Sequence, residues 1–279
     1  MSRPYSAALL STFVILLGSL GGASAAEPIV GPAAAPSAKE IFTRFGPALV
    51  QLSGTVKTTM KFSGNAMPGR ESRLDAAGVV IDADGTVITS ANVVDPGRMM
   101  QKAMKAGGSM SGMDMKMDVA SEHSNLRLRA PDGTQVPAVL VIIDGDRDLA
   151  VLRPDAKDAA AQKMAGKWPA LAAVATDKAE VLDQILVLGR LGAQFDRQFA
   201  LTPVQVTAQI SKPRPCWIVN GGSPGGVALT RDGRYLGLIT IQLGEVDFSS
   251  MMSASQGMAV VPAAEILELV KSANAPAAK

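Results

Sequence analysis

Gly78-Val79-Val80-Ile81-Asp82-Ala83-Asp84-Gly85-Thr86-Val87-Ile88-Thr89-Ser90-Ala91-Asn92-Val93-Val94 is the stretch that decides the architecture of this 279-residue chain. Two runs rich in β-branched residues, Gly78 to Ile81 and Thr86 to Thr89, flank the polar turn Asp82-Ala83-Asp84-Gly85. Branched side chains suit the pleated surface of a strand, and a turn ending in Gly lets the chain reverse within a few residues. The segment therefore reads as a β-hairpin.

The same grammar continues on the C-terminal side. Leu126-Arg127-Leu128-Arg129 alternates strictly, Pro131-Asp132-Gly133 forms a turn, and a strand follows from Val136 to Ile143. Asp144-Gly145-Asp146 breaks the chain before Leu149-Ala150-Val151-Leu152. Further strands are expected at Gln184 to Leu188, Phe199 to Gln209, Gly226 to Thr230 and Tyr235 to Ile241, the last two joined through Arg231-Asp232-Gly233-Arg234. Helices are few. Ala38 to Phe45 is a short one capped by Ser37, and Ala263 to Ala273 starts beside Pro262 with Ile266, Leu269 and Val270 on one face. Many short strands and one terminal helix predict an all-β sandwich or barrel.

The chain ends are of another kind. Arg3, an apolar run from Ala7 to Leu20 and the small-residue site Ala23-Ser24-Ala25 have the layout of a secretory signal peptide over residues 1–25. The run falls short of the ~20 residues a spanning helix needs, so no integral membrane segment is expected after cleavage. Residues 26–37, with Pro28, Pro32 and Pro36, read as an Ala/Pro-rich linker, 38–273 as the folded module and 274–279 as a tail. Cys216 is the single cysteine, which excludes an intramolecular disulfide. The apolar Trp217-Ile218-Val219 after it points to burial as a small hydrophobe, the other reading being a free thiol. A formal net charge of +2 with both signs interspersed argues against nucleic acid as a partner.

Three ordered blocks resemble the trypsin-like serine proteases, and within them the Deg-type (high-temperature-requirement) proteases of the bacterial periplasm. Gly78 to Val94 is similar to the family's G-x-I-I-D-x-x-G-x-I-L-T-N-x-H-V-V, which ends at the catalytic histidine. Asp146-Arg147-Asp148-Leu149-Ala150-Val151-Leu152 is similar to S-D-[IL]-A-[VL]-L, which carries the triad aspartate. Val219-Asn220-Gly221-Gly222-Ser223-Pro224-Gly225-Gly226-Val227-Ala228-Leu229 is similar to I-N-x-G-N-S-G-G-A-L-L, which carries the nucleophile. Gly257 to Pro262 resembles the G-x-x-F-A-I-P before the last helix. The resemblance covers about residues 40 to 272. It implies two packed antiparallel β-barrels of the chymotrypsin type, about 38–155 and about 165–262, with a C-terminal helix at 263–273. It also implies a periplasmic or secreted location and a peptide or protein ligand in the cleft between the barrels; a PDZ domain often follows the protease in that family, and none is expected here because the chain stops after the helix. Oligomeric state is not readable.

The catalytic residues of that family are not all present. Asn92 stands where the histidine belongs, and an amide neither accepts nor returns a proton near neutral pH. Asp148 is kept, although the histidine it would orient is missing. Pairing without gaps puts Pro224 at the serine, which removes both the hydroxyl and a backbone N–H of the oxyanion hole. Asn92, Asp148 and Pro224 are therefore expected to converge as a degenerate triad without catalysis. Two readings stay open beside this one. Ser223 is either a displaced nucleophile served by a Lys or Asp base, or part of a tight loop. Asn92 can also hydrogen-bond Asp148 and preserve the old geometry.

A methionine-rich insertion follows, with seven Met in the nineteen residues from Met99 to Met117. Met110, Met113, Met115 and Met117, with His123 beyond them, form a candidate soft-metal site for Cu(I) or Ag(I). The alternatives are an adaptable partner surface or a loop with no role. No other cofactor is expected.

Overall fold

The computed structural model describes residues 35–62, 65–98, 101, 117–171, 178–242 and 257–274. The signal-peptide and most of the linker expectation lies outside the described residues. Among those described, no helix is long and apolar enough to cross a membrane.

Among the described residues, twelve strands build two antiparallel barrels. The first contains β1 (Leu49–Phe62), β3 (Arg70–Val80), β4 (Val87–Ser90), β5 (Met117–Arg129), β6 (Gln135–Asp144) and β7 (Leu149–Pro154). These run in the order β1-β3-β4-β7-β6-β5, and β5 pairs back with β1 to close the ring. The two-residue β2 (Asn65–Ala66) is appended to the end of β1. The second barrel contains β8 (Gln184–Arg190), β9 (Phe199–Ile210), β10 (Cys216–Val219), β11 (Val227–Leu229), β12 (Tyr235–Gln242) and β13 (Gly257–Pro262). It closes in the order β10-β13-β12-β11-β8-β9. The all-β, two-barrel expectation is met, and the helices include α1 (Ala38–Phe45), α2 (Ala91–Val94), α3 (Ala159–Met164) and α4 (Ala263–Asn274).

The apolar runs of the sequence have a simple cause. Strands facing the other barrel are buried on both sides, so they lose the polar alternation of a half-exposed strand. In β7, Ala150 and Leu152 point into the first barrel while Leu149 and Val151 point outward. In β11, Ala228 points into the second barrel while Val227 and Leu229 point outward. The outward residues of both barrels meet in one core with Ile41 and Phe45 of α1 and Ile266, Leu269 and Val270 of α4. The Ser37–Glu40 capping box starts α1, satisfying N–H groups that the first turn leaves free.

Three features differ from the sequence reading. β1 and β3 form a long pair from Leu49↔Val79 to Thr58↔Arg70 that the hydrophobic pattern did not announce. α3 is a single short helix capped by Asp158. Cys216 is half-buried rather than a core residue: in β10 it is Trp217 and Val219 that turn into the barrel, and alternation sends Cys216 to the opposite face. Partial burial still pushes its thiol pKa up.

Candidate functional site

Thr89 and Ser90 end β4 and lead into the single turn of α2, which places Asn92 beside the start of β7. There Asp148 is 2% exposed and adopts a left-handed φ of 54°. Its carboxylate is the hub of the region. Oδ1 accepts from the Asn92 backbone N–H at 2.6 Å. Oδ2 accepts from the Ser90 hydroxyl at 2.7 Å and from the Ile241 backbone N–H at 2.8 Å. The Asn92 side chain goes elsewhere, donating from Nδ2 to the Ile241 carbonyl at 2.9 Å. Asn92 and Asp148 are thus bonded through the backbone of Asn92, not through its carboxamide. Ile241 lies near the end of β12, so the pair ties the two barrels together.

Pro224 occupies the turn Ser223-Pro224-Gly225-Gly226, closed by Gly226 N–H to the Ser223 carbonyl at 2.9 Å. Gly225 has φ 79°. Proline second and a left-handed glycine third are the residues a type II turn requires. Pro224 therefore sits in a local conformation that favours proline. The turn is anchored by Gly225 N–H to the Ile239 carbonyl at 2.8 Å and pressed against β3, where a Cβ on Gly225 would lie 2.2 Å from the Ala77 carbonyl oxygen. That same oxygen accepts from the Thr89 hydroxyl at 2.6 Å, three residues before Asn92.

Ser223 and Pro224 line a cleft of about 410 Å³ between the barrels. The first barrel contributes Val93, Ala77, Asp75 and Gln51, and the β8–β9 turn of the second contributes Arg190 and Arg197. No imidazole, amine or carboxylate among the described residues hydrogen-bonds the Ser223 hydroxyl. Arg197 donates from Nη2 to Asp75 Oδ2 at 3.1 Å, and Gln51 Nε2 donates to Asp75 Oδ1 at 2.6 Å. Arg190 lies over the Phe199 ring at 4.4 Å and donates to the carbonyls of Leu49 and Arg197. Burial lowers its pKa, and repulsion from Arg129 adds to that. The sequence reading did not single out these cleft residues. Their only sequence signal is a pair of arginines bracketing a short turn.

His123 stands in β5 opposite Val56, with its Nε2 3.0 Å from the Val94 carbonyl oxygen. Met117 begins the same strand. Met110, Met113 and Met115 lie outside the described residues. Among those described, no group of three or more His, Cys, Asp or Glu is placed to hold a metal ion.

Two closed six-stranded barrels, a terminal helix and a cleft between the barrels define a protein of the chymotrypsin-type architecture. The sequence model of the trypsin-like peptidase domain matches residues 76–238, and the chain belongs to that family. Among solved structures, a variant of the HtrA-type protease AlgW with a decapeptide superposes with a TM-score of 0.55 at 20% identity, covering 85% of this chain and 66% of that one. The serine endoprotease from Yersinia pestis gives 0.51 at 16% identity, with 85% and 66% covered. AlgW with a decapeptide gives 0.51 at 19%, with 85% and 67% covered. The chain thus spans just under two thirds of the length of the first two, and at these identities the likeness is one of fold. Comparison with curated proteins found no match.

Proposed function

We propose that this chain is a non-catalytic trypsin-like protein, exported from the cytoplasm, whose inter-barrel cleft binds a peptide or protein without cleaving it. The observation that carries the reading is the pairing of Asn92 with Ile241. The residue at the base position holds a backbone carbonyl with its amide, where a base would face the nucleophile with a free lone pair. Pro224 supports it, since that residue supplies neither hydroxyl nor N–H. Asp148 then serves as a structural carboxylate. The peptides bound to the HtrA-type relatives support an extended ligand for the same cleft. Export rests on the pattern of residues 1–25.

The test is labelling of the mature protein with a serine-reactive fluorophosphonate, beside a Ser223→Ala variant and a heat-denatured sample. Labelling no higher than in the denatured sample is expected. Labelling that disappears in Ser223→Ala would show a displaced nucleophile at work and overturn the proposal.

A further inference from the structure

We infer that the cleft selects ligands carrying a carboxylate, and that Asp75 occupies the place of that carboxylate when no ligand is bound. The inference rests on the cleft-binding reading above and names its ligand chemistry.

Among the described residues, Asp75 is the only acid lining the cleft, and two guanidinium groups, Arg190 and Arg197, line it with Asp75. Arg129 stands close enough to Arg190 to repel it. Positive charge is therefore in excess around a single carboxylate, in a partly buried setting where screening is weak. The bridge from Arg197 to Asp75 uses one Nη2 donor at 3.1 Å, while the Arg197 Nε–H is buried with no acceptor. A guanidinium offers a two-pronged face that a carboxylate fills with two parallel bonds. Asp75 meets one prong only, because its other oxygen is held by Gln51 at 2.6 Å. A buried donor without a partner is costly, and an incoming carboxylate would satisfy it.

The backbone under Arg197 is built to hold it there. Asp196 and Arg197 both adopt left-handed φ values, 51° and 52°, which non-glycine residues rarely do in succession. The turn is closed by Leu191 N–H to the Gln198 carbonyl at 2.9 Å. Strain retained at a cleft residue accords with a binding role. The neighbouring wall of Ala76, Ala77, Val93 and Pro224 offers small apolar contacts to the ligand beside its carboxylate.

The test uses three pentapeptides, each labelled at its N-terminus with an uncharged BODIPY dye and titrated by polarisation at low salt. They are Ala-Ala-Val-Ala-Ala as the free acid, the same peptide as its amide, and Ala-Ala-Asp-Ala-Ala as its amide. A carboxylate-bearing peptide should bind at least about tenfold tighter than the neutral amide, the scale of a charge-assisted bond. Preference for the free acid identifies a chain terminus as the source, and preference for the Asp peptide identifies a side chain. Arg197→Gln should abolish the preference. Arg197→Lys, which keeps the charge without the Nε donor, should reduce it, and Asp75→Asn should tighten binding several-fold. Thermal melts of each variant establish folding, and the gain in Asp75→Asn cannot come from unfolding. Equal binding of all three peptides overturns this inference and leaves the cleft-binding reading standing. A carboxylate preference that survives in Arg197→Gln also overturns it. No binding of any peptide overturns both.

Discussion

At the scale of single residues, Asp148 shows how one buried carboxylate can gather a site around itself. Three donors converge on it, from Asn92, Ser90 and Ile241, and it is almost fully buried. Replacing it by Ala strands those donors, so Asp148→Ala should cost about 3 kcal/mol in urea denaturation. Asp148→Asn keeps an acceptor and tolerates the left-handed backbone, so its cost should be clearly smaller. Equal stability of the Ala variant and the parent would refute a structural role. Sequence motifs made Asn92, Asp148 and Pro224 visible because each sits in a run of Gly and apolar residues whose spacing the fold constrains. The partner of the Asn92 carboxamide was not visible, because Ile241 is 149 positions away and contributes only its backbone. The Asp75–Arg197 bridge was hidden for the same reason, with 122 positions between two residues that no motif contains.

At the scale of elements, the hairpin β3–β4 and the capped helix α1 were legible because local chemistry specifies them: a Gly-ended turn in one, a Ser37–Glu40 box in the other. β1 was not, because beyond Gly54 most of its side chains are half-exposed or exposed, so its outer half shows no clean apolar alternation. The attachment of α4 is likewise a long-range matter. Arg147, just before β7, pairs with Asp144 at 2.6 Å, Glu265 at 2.8 Å and Glu268 at 3.3 Å, and only Glu268 is well exposed. Arg147→Ala leaves partly buried carboxylates facing one another and should destabilise by about 2 kcal/mol, between the values for exposed and buried pairs. Amide exchange in α4 should quicken in that variant. Burial opposes the charged form of Asp144, but hydrogen bonds from Arg147 and Asp146 outweigh it and hold the pKa below the usual carboxylate range. A group lowered on folding stabilises above its unfolded pKa and ceases to do so as pH falls through the folded one. The destabilisation by Arg147→Ala should therefore be full at neutral pH and shrink as acid protonates Asp144. A cost independent of pH would assign the effect to packing of the Arg147 stem alone.

At the scale of the molecule, the question is whether two barrels fold as two bodies or one. Each has its own interior, around Leu52, Val80 and Leu152 in the first and around Ile185, Val206 and Ile239 in the second. Between them lies a third core drawn from both, in which Ile88, Leu149 and Val151 meet Leu188, Val227 and Leu238. All six of these side chains are fully buried, and each contributes roughly 1.5–3 kcal/mol on burial. Neither barrel alone could keep that face from water, so separating them costs about as much as a small domain's whole stability of about 5–15 kcal/mol. The clamp of Asn92 and Asp148 on Ile241 adds polar bonds across the same junction. One cooperative transition is expected, and the protein carries its own probes: Trp168 packs on the first barrel's core and Trp217 in the second's. In Trp168→Phe and Trp217→Phe, each remaining indole reports one barrel, and the shift between parent and a Leu188→Ala variant reports the junction. Both probes should lose signal at one denaturant concentration, and Leu188→Ala should lower both midpoints together, by about 2–5 kcal/mol in stability. Separate midpoints, with Leu188→Ala moving only the Trp217 signal, would mean that the barrels unfold independently and that the cleft between them is a hinge rather than a rigid groove.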